Sequence, residues 1–132
     1  MNSLILFARA LADPTRCRII RLVMDEALCV CELADILGMP QSSVSSHVQI
    51  IRKAGMLDSE KCEKWTYFRI EPAYRRLLRN MEKFFDPLGD ERENEDAKKA
   101  AARLMQREGS CCPGPKRLAS RRHSKTHASI SQ

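Results

Sequence analysis

Residues 31–55 read CELADILGMPQSSVSSHVQIIRKAG, and the fold turns on how this stretch is divided. Leu33, Ile36 and Leu37 recur at helical spacing from about Cys31 and stop against Gly38-Met39-Pro40, a three-residue break. A second helix follows over roughly Gln41–Ala54. Val44, Val48 and Ile51 form its apolar stripe, while Ser42, Ser43, Ser45, Ser46 and Gln49 lie off that stripe. Gly55 supplies a left-handed stop, and Arg52 and Lys53 stand just before it, at the negative end of the helix dipole. A short helix, a tight turn holding a glycine and a second helix with a polar free face make a helix-turn-helix. Short hydroxyl side chains on the free face suit a helix that lies deep in a DNA groove and bonds to phosphates or base edges.

The flanking chain extends this pattern. Leu57–Lys61 and Lys64–Ile70 read as two short strands around a Cys62-Glu63 turn, a wing in which Trp65, Tyr67 and Arg69 share one face and Thr66, Phe68 and Ile70 the other. Pro72 opens a helix carrying Tyr74, Leu77, Leu78, Met81 and Phe84 or Phe85, ended by Asp86-Pro87-Leu88-Gly89. Upstream, Leu4, Phe7, Ala8 and Leu11 mark one amphipathic helix. Asp13-Pro14 caps a second that runs to about Asp25, with Cys17, Ile20, Val23 and Met24 inward. Asp90–Glu108 reads as a separate charged helix, acidic at its start, more basic later, with a thin apolar stripe of Ala97, Ala101, Leu104 and Met105. Beyond Gly109 the Ser-, Arg- and Pro-rich chain has little to bury, and disorder is expected. The expected architecture is mainly α with a small β-hairpin, a winged helix-turn-helix. Residues 1–86 form the DNA-binding and dimerisation domain, 87–108 the charged helix, and 109–132 a basic tail with a vicinal cysteine pair. The apolar stripes Leu4, Phe7, Leu11, Leu77, Leu78, Met81 and Phe84 exceed what one short winged helix buries, which points to a homodimer.

Bulk properties agree with this reading. The 132 residues are 43% hydrophobic, enough for one core, and carry a formal net charge of +6. Lys116, Arg117, Arg121, Arg122 and Lys125 supply most of that charge, so the basic character belongs chiefly to the tail. The apolar start Leu4-Ile5-Leu6-Phe7 is broken at once by Arg9 and Asp13, which fits neither a secretory signal nor a membrane span. A reducing, cytoplasmic setting and no membrane partner are expected. There, six cysteines favour metal binding or redox sensing over a disulfide framework.

Several segments, in order, resemble the arsenic-responsive (ArsR/SmtB) repressor family: Leu11-Ala-Asp-Pro-Thr-Arg16, Leu28-Cys-Val-Cys-Glu-Leu33, Ser45-Ser-His-Val48, Arg52-Lys-Ala-Gly-Met-Leu57 and Lys64-Trp-Thr-Tyr-Phe-Arg69. The resemblance covers roughly residues 4–85. It implies a winged-helix homodimer that binds a palindromic operator in double-stranded DNA, with the first and fifth helices at the dimer interface. Gln41, Ser43, Ser45, Ser46 and His47 are then the groove residues, and Arg52, Lys64 and Arg69 the phosphate contacts. The chain departs from the family at Ser46, where Arg is usual, at Glu63, where a wing Gly is usual, and at Pro40, where a capping Ser is common.

Cys29-Val30-Cys31 stands at the expected start of the third helix, in the position of the family's metalloid motif. Unpaired N–H groups at a helix start favour thiolate, and thiolates select soft ions. Trivalent arsenic or antimony takes three thiolates, but the third cysteine common in the motif is replaced by Ala34. Of the remaining cysteines, Cys17 reads as core and Cys62 as a distant wing-tip residue. Cys111 and Cys112 lie in a segment able to fold back, from this chain or a partner. The pair also suits, by itself, an organoarsenical that needs only two sulfurs. No histidine occurs in Glu71–Phe85, which disfavours the family's zinc site on that helix. The expected function is a repressor, not an enzyme, that needs no cofactor and leaves its operator when arsenite, antimonite or a related thiophilic ion binds Cys29 and Cys31, with Cys111 and Cys112 as further ligands. A thiol redox or sulfide switch on the same fold is the near alternative, and a cysteine-based metal carrier the remote one.

Overall fold

A computed structural model describes residues 3–85, 91–110 and 112–118. Helix α1 spans Ser3–Leu11 and α2 Pro14–Leu22. Asp13 caps α2 as its sequence position suggests, its carboxylate accepting the Arg16 N–H at 3.1 Å, with Pro14 at the first helical position. The helix closes at Leu22 rather than Asp25. Val23 and Met24 are nevertheless buried, because the chain turns there against the sheet, and the Val23 carbonyl accepts the Ile70 N–H at 2.9 Å.

The helix-turn-helix follows as read. Helix α3 (Val30–Leu37) ends at Gly38, whose φ of 65° is the left-handed geometry that favours glycine. Helix α4 (Gln41–Lys53) then buries Val44, Val48 and Ile51. The wing differs in two respects. It is not a hairpin alone: strand β1 (Leu28–Cys29) pairs antiparallel with β3 (Trp65–Ile70), Leu28 opposite Phe68 and Cys29 opposite Tyr67, so the sheet order is β1-β3-β2. A two-residue strand has no readable alternation, and the free edge of β3 alone creates it. Strand β2 (Leu57–Cys62) pairs with β3 in a register that sets Cys62 opposite Trp65. The turn is therefore Glu63-Lys64, one residue later than expected, and Glu63 itself takes a φ of 58°.

Helix α5 (Pro72–Met81) packs its Tyr74 ring on Phe7 of α1. It ends before Phe84 and Phe85, and residues 86–90, including the expected Asp86–Gly89 stop, lie outside the described residues. Helix α6 (Glu91–Met105) packs on α2 and α3. Of the apolar stripe read from the sequence, only Leu104 packs against the core. Asp96, Ala100 and Arg103 are buried, whereas Ala97 and Ala101 are exposed and Met105 is 86% exposed. Charge pairing sets this orientation. Arg18 of α2 donates two hydrogen bonds of 2.9 Å to the Asp96 carboxylate, and Arg103 donates one of 2.9 Å to Asp35 of α3. Residues 112–118, expected to be disordered, instead lie along the wing, with Cys112 and Leu118 buried. Their backbone N–H groups find acceptors there, which the composition of the segment does not reveal.

The main core joins Ile19, Ile20 and Val23 of the α2 region, Leu33 and Ile36 of α3, Val44, Val48 and Ile51 of α4, and Phe68 and Ile70 of β3. A second, smaller cluster joins Ala27, Cys29, Tyr67, Cys112 and Leu118 on the opposite face of the sheet. If ion pairing holds α6 in place, the Arg18→Ala/Asp96→Ala double-mutant cycle should show a coupling of about 1–2 kcal/mol by urea denaturation, above the value of an exposed pair.

Candidate thiolate site and nucleic-acid interface

The thiolate site is built where β1 becomes α3. Cys29 is both the last residue of β1 and the N-cap of α3, in an extended conformation. Its N–H donates to Glu32 Oε1 at 3.2 Å, and the Glu32 N–H points back at the cysteine sulfur, a capping box with sulfur in place of a hydroxyl. Cys31 falls in the first turn of α3. Cys112 arrives from the chain beyond α6 and places its Sγ 3.6 Å from that of Cys29. The Sγ atoms of Cys29, Cys31 and Cys112 all lie within 4.8 Å of one another. The structure thus brings together three of the four cysteines singled out in the sequence; Cys111 lies outside the described residues. Cys17 stays apart, half-buried beside the Leu11 carbonyl at 3.2 Å, and Cys62 packs at the edge of the small cluster without joining the sulfur group.

Two arginines hold the returning chain. Arg107, in a 3-10 turn (Arg107–Gly109), donates from Nε to Glu32 Oε2 at 2.7 Å and from Nη2 to Oε1 at 2.9 Å and to the Ala27 carbonyl at 2.6 Å. Glu32 is 0% exposed. The same guanidinium lies over the Tyr67 ring, 5.3 Å from its centroid. Arg103 pairs with Asp35 and also directs Nη2 at Cys112 Sγ at 3.7 Å, while its Nη1 is buried with no hydrogen-bond partner among the described residues. The Gly114 N–H donates to Tyr67 Oη at 2.7 Å, and the N–H groups of Lys116, Arg117 and Leu118 donate to the Glu60 carboxylate at 2.6, 2.6 and 2.8 Å.

The electrostatics overturn one expectation. Position at a helix start was expected to favour the Cys29 thiolate. Burial instead pushes the thiol far above its ordinary range, and the neighbouring Glu32 charge adds to the rise. The Glu32 N–H bond to sulfur opposes both and is outweighed. Burial likewise pushes Tyr67 up to about 12. The site is therefore three closely set sulfurs, the Cys29 sulfur protonated at neutral pH, beside an arginine with a spare N–H. A trivalent metalloid hydroxide fits this donor set: exchanging three O–H groups for three S–H groups forms three bonds to sulfur, releases three waters and changes no net charge. Such an exchange does not require thiolates to exist beforehand.

On the DNA-facing candidate surface, Gln41 and Ser46 are exposed and Ser43, Ser45 and His47 partly so. Ser46 turns its hydroxyl back to the Ser42 carbonyl at 3.0 Å. His47 Nδ1 lies 3.2 Å from Arg16 Nη1 and 4.0 Å from Asp13 Oδ2. Arg16 also donates to the carbonyls of Arg9 at 2.8 Å and Ala10 at 3.2 Å, tying α4 through α2 to the end of α1. Arg52 is exposed, 6.0 Å above the Phe68 ring, and Lys64 is exposed, 4.9 Å above Trp65. Arg69 lies half-buried on the outer face of β3, opposite Asp58. Sequence reasoning missed Arg16, Glu32, Glu60, Tyr67, Arg103 and Arg107. Only Glu32 carried a signal, as an acid three residues after a cap.

Residues 13–59 match the model of the bacterial regulatory protein, arsR family. An uncharacterized HTH-type transcriptional regulator of Methanocaldococcus jannaschii is 36% identical over 63 residues, which is 47% of this chain and 71% of that protein. An arsenic resistance transcriptional regulator of Pseudomonas putida is 40% identical over 65 residues, 48% of this chain and 51% of that one. A cadmium resistance transcriptional regulatory protein of Listeria innocua is 35% identical over 66 residues, 49% and 56% of the two chains. The match thus spans little more than half the length of the latter two relatives. Among solved structures, the homodimeric winged helix-turn-helix DNA-binding domain of a Mycobacterium bovis regulator superposes with a TM-score of 0.58 at 22% identity, covering 62% of this chain and 77% of that one. HlyU from Vibrio cholerae gives 0.56 at 20% identity, over 63% and 91%. These two likenesses are of fold.

Two measurements test the site as described. Replacing Arg107 by Met leaves the buried Glu32 carboxylate without its cation and should cost about 3 kcal/mol in denaturation, with loss of the slow alkylation expected of Cys112. The raised Cys29 value has its own pH signature. The folded chain keeps the proton while the unfolded chain loses it near the ordinary thiol value of 9.0, so stability is present below that pH and falls as pH rises above it. Between about pH 8 and 10 the wild type should lose more stability than Cys29→Ser; equal losses would place the thiol outside a desolvated site.

Proposed function

The chain belongs to the ArsR/SmtB family of regulators, and on that premise we propose that it is a homodimeric repressor which leaves a palindromic operator when a trivalent metalloid, arsenite or antimonite, binds Cys29, Cys31 and Cys112. The observation that carries this reading is the group of three sulfurs within 4.8 Å. Three is the number such a metalloid takes, and a neutral hydroxide that exchanges its oxygens for three sulfurs leaves no buried charge. A divalent soft ion would displace protons and leave three thiolates with a net negative charge. Relatives named for arsenic and for cadmium resistance are both similar to this chain, and the charge argument favours the first.

The location suits a switch. Cys29 joins β1 to α3, so an ion drawing its sulfur inward acts on the first helix of the reading unit and, through the Cys29–Tyr67 pairing, on the wing. A coupling of about 1–3 kcal/mol changes operator affinity roughly 5- to 150-fold. In this reading Gln41, Ser43, Ser45, Ser46 and His47 face the groove, and Arg52, Lys64 and Arg69 meet phosphates. The partner protomer covers the exposed apolar surface that includes Leu4, at 69% exposure, Ile5, Leu77 and Phe84, at 85%. Leu78, expected at that interface, belongs to the protomer's own core at 7% exposure.

The 3.6 Å separation of the Cys29 and Cys112 sulfurs supports a second reading, a disulfide switch driven by an oxidant such as a small-molecule disulfide. Burial of Cys29 and Cys112 argues against a metal carrier, whose ligands must open to a partner.

Fluorescence anisotropy of operator DNA under full reduction tests the proposal. Arsenite should release the wild type, whereas Cys29→Ser/Cys31→Ser and Cys112→Ser should stay bound. A normal response from the first variant would overturn the site, and release only by oxidant would select the disulfide reading. Ser45→Ala/His47→Ala should weaken operator binding at least about tenfold with the fold intact, as a lost pair of groove contacts predicts.

A further inference from the structure

We propose that Glu60, on the wing, is a positioning residue of the thiolate site: its carboxylate fastens residues 116–118 and so presents Cys112 as the third sulfur. The inference rests on reading Cys29, Cys31 and Cys112 as one binding site. Arg107 holds the chain five residues before Cys112; without a second anchor beyond it, Cys112 would sit on a segment tied at one end only, and its delivery to the other two would require further ordering at the moment of binding. The structure shows the segment already ordered. Three successive backbone N–H groups, those of Lys116, Arg117 and Leu118, converge on the one carboxylate at 2.6, 2.6 and 2.8 Å, a nest of donors formed around an acid. Burial alone would raise the Glu60 value, but those donors and the Arg117 charge hold it below the ordinary carboxylate range, the sign of an occupied anion site.

The rest of the attachment reinforces this anchor. Arg117 Nη2 donates to the Ser59 carbonyl at 2.8 Å and reaches Asp58 at 3.3 Å. Leu118 is 1% exposed. Glu60 and Tyr67 are Cα partners across the hairpin, so the carboxylate and the phenol that accepts the Gly114 N–H sit side by side. Gly114 has a φ of 90°, and a Cβ there would meet Arg107 at 3.3 Å, so the chain makes this turn on glycine. Gly114 is two positions beyond Cys112, with only Pro113 between them, a leash of roughly 7 Å at full extension. Fixing Gly114 and residues 116–118 on the wing therefore confines the Cys112 sulfur to the neighbourhood of Cys29. In addition, any shift of Cys112 on ligand binding is transmitted to the wing through the same hydrogen bonds.

Arsenite, which takes three sulfurs, and phenylarsine oxide, which takes two, separate this role from general stability. In Glu60→Ala, arsenite binding should weaken by about tenfold or more, since a preformed third ligand becomes one on a flexible tether, while phenylarsine oxide binding to Cys29 and Cys31 stays within about twofold of the wild type. The apo variant should also alkylate faster at Cys112 and unchanged at Cys29. Arg117→Pro, which deletes a donor from the other side of the contact, should move all three readouts in the same direction. Unchanged arsenite affinity in Glu60→Ala overturns the inference. So does equal weakening toward both arsenicals, which would mean that Glu60 supports the whole site and not its third sulfur. If Cys112→Ser binds arsenite as well as the wild type does, the three-sulfur reading fails first and this inference with it.

Discussion

The buried pair of Glu32 and Arg107 is the interaction on which the special features of this molecule depend. Glu32 caps the β1–α3 junction through the Cys29 N–H, and it is enclosed completely. An isolated carboxylate in such a place is unfavourable by several kcal/mol, so the chain beyond α6 must return to supply a cation. Arg107 does this bidentately, and its third bond, to the Ala27 carbonyl, and its stacking over Tyr67 make the geometry specific. Once Arg107 is fixed there, Cys112 is five residues away and lies on the same side of the sheet as Cys29. The ion pair need not add much net stability. It determines where the chain goes, and the sulfur cluster follows from that.

In the proposed reading, the same arrangement makes a buried thiol compatible with sensing. Desolvation and the Glu32 charge keep Cys29 protonated, which makes it slow toward adventitious electrophiles at neutral pH. A metalloid that arrives as a neutral hydroxide, stays bound to sulfur and releases its oxygens as water with the thiol protons suffers no such barrier. The sheet connects this chemistry to the reading unit. Cys29 is the register partner of Tyr67, Tyr67 holds Gly114, and Glu60 beside it holds residues 116–118. One face of the wing is accordingly the floor of the sulfur cluster. On the other side of the molecule, Arg16 binds His47 of α4 and two carbonyls at the end of α1, so a displaced α4 is felt at the helix that carries the exposed Leu4 and Ile5.

Much of the fold was legible because it rests on local rules. The Asp13-Pro14 start, the Gly38 and Gly55 stops, the Val44-Val48-Ile51 stripe and the alternation in Trp65–Ile70 each follow from the period of one element or the conformational needs of one residue. Misreadings occurred where a distant partner overrode the local pattern. In α6 the apolar stripe was real but too thin, and pairing of Asp96 with Arg18 and of Arg103 with Asp35 turned the helix to bury its charged residues instead. At the wing, pairing register moved the turn onto Glu63-Lys64, and a two-residue strand too short to carry a pattern joined the free edge of β3.

What the sequence determined by itself is the helix-turn-helix, the wing and the placing of Cys29 and Cys31 at a helix start, since all of these are set by spacings of a few residues. It also shows Ala34 where the motif it resembles commonly carries a third cysteine. Which cysteine comes to lie beside Cys29 and Cys31 was decided only by tertiary structure. Cys112 stands far along the chain in a Ser-, Arg- and Pro-rich segment with no apolar pattern, and nothing local ties it to α3. It is carried there by an arginine that neutralises a buried acid and by three backbone N–H groups that close on Glu60. The first is an ion pair and the second a charge-dipole contact, both between residues more than fifty positions apart, and such contacts leave no periodicity in a sequence.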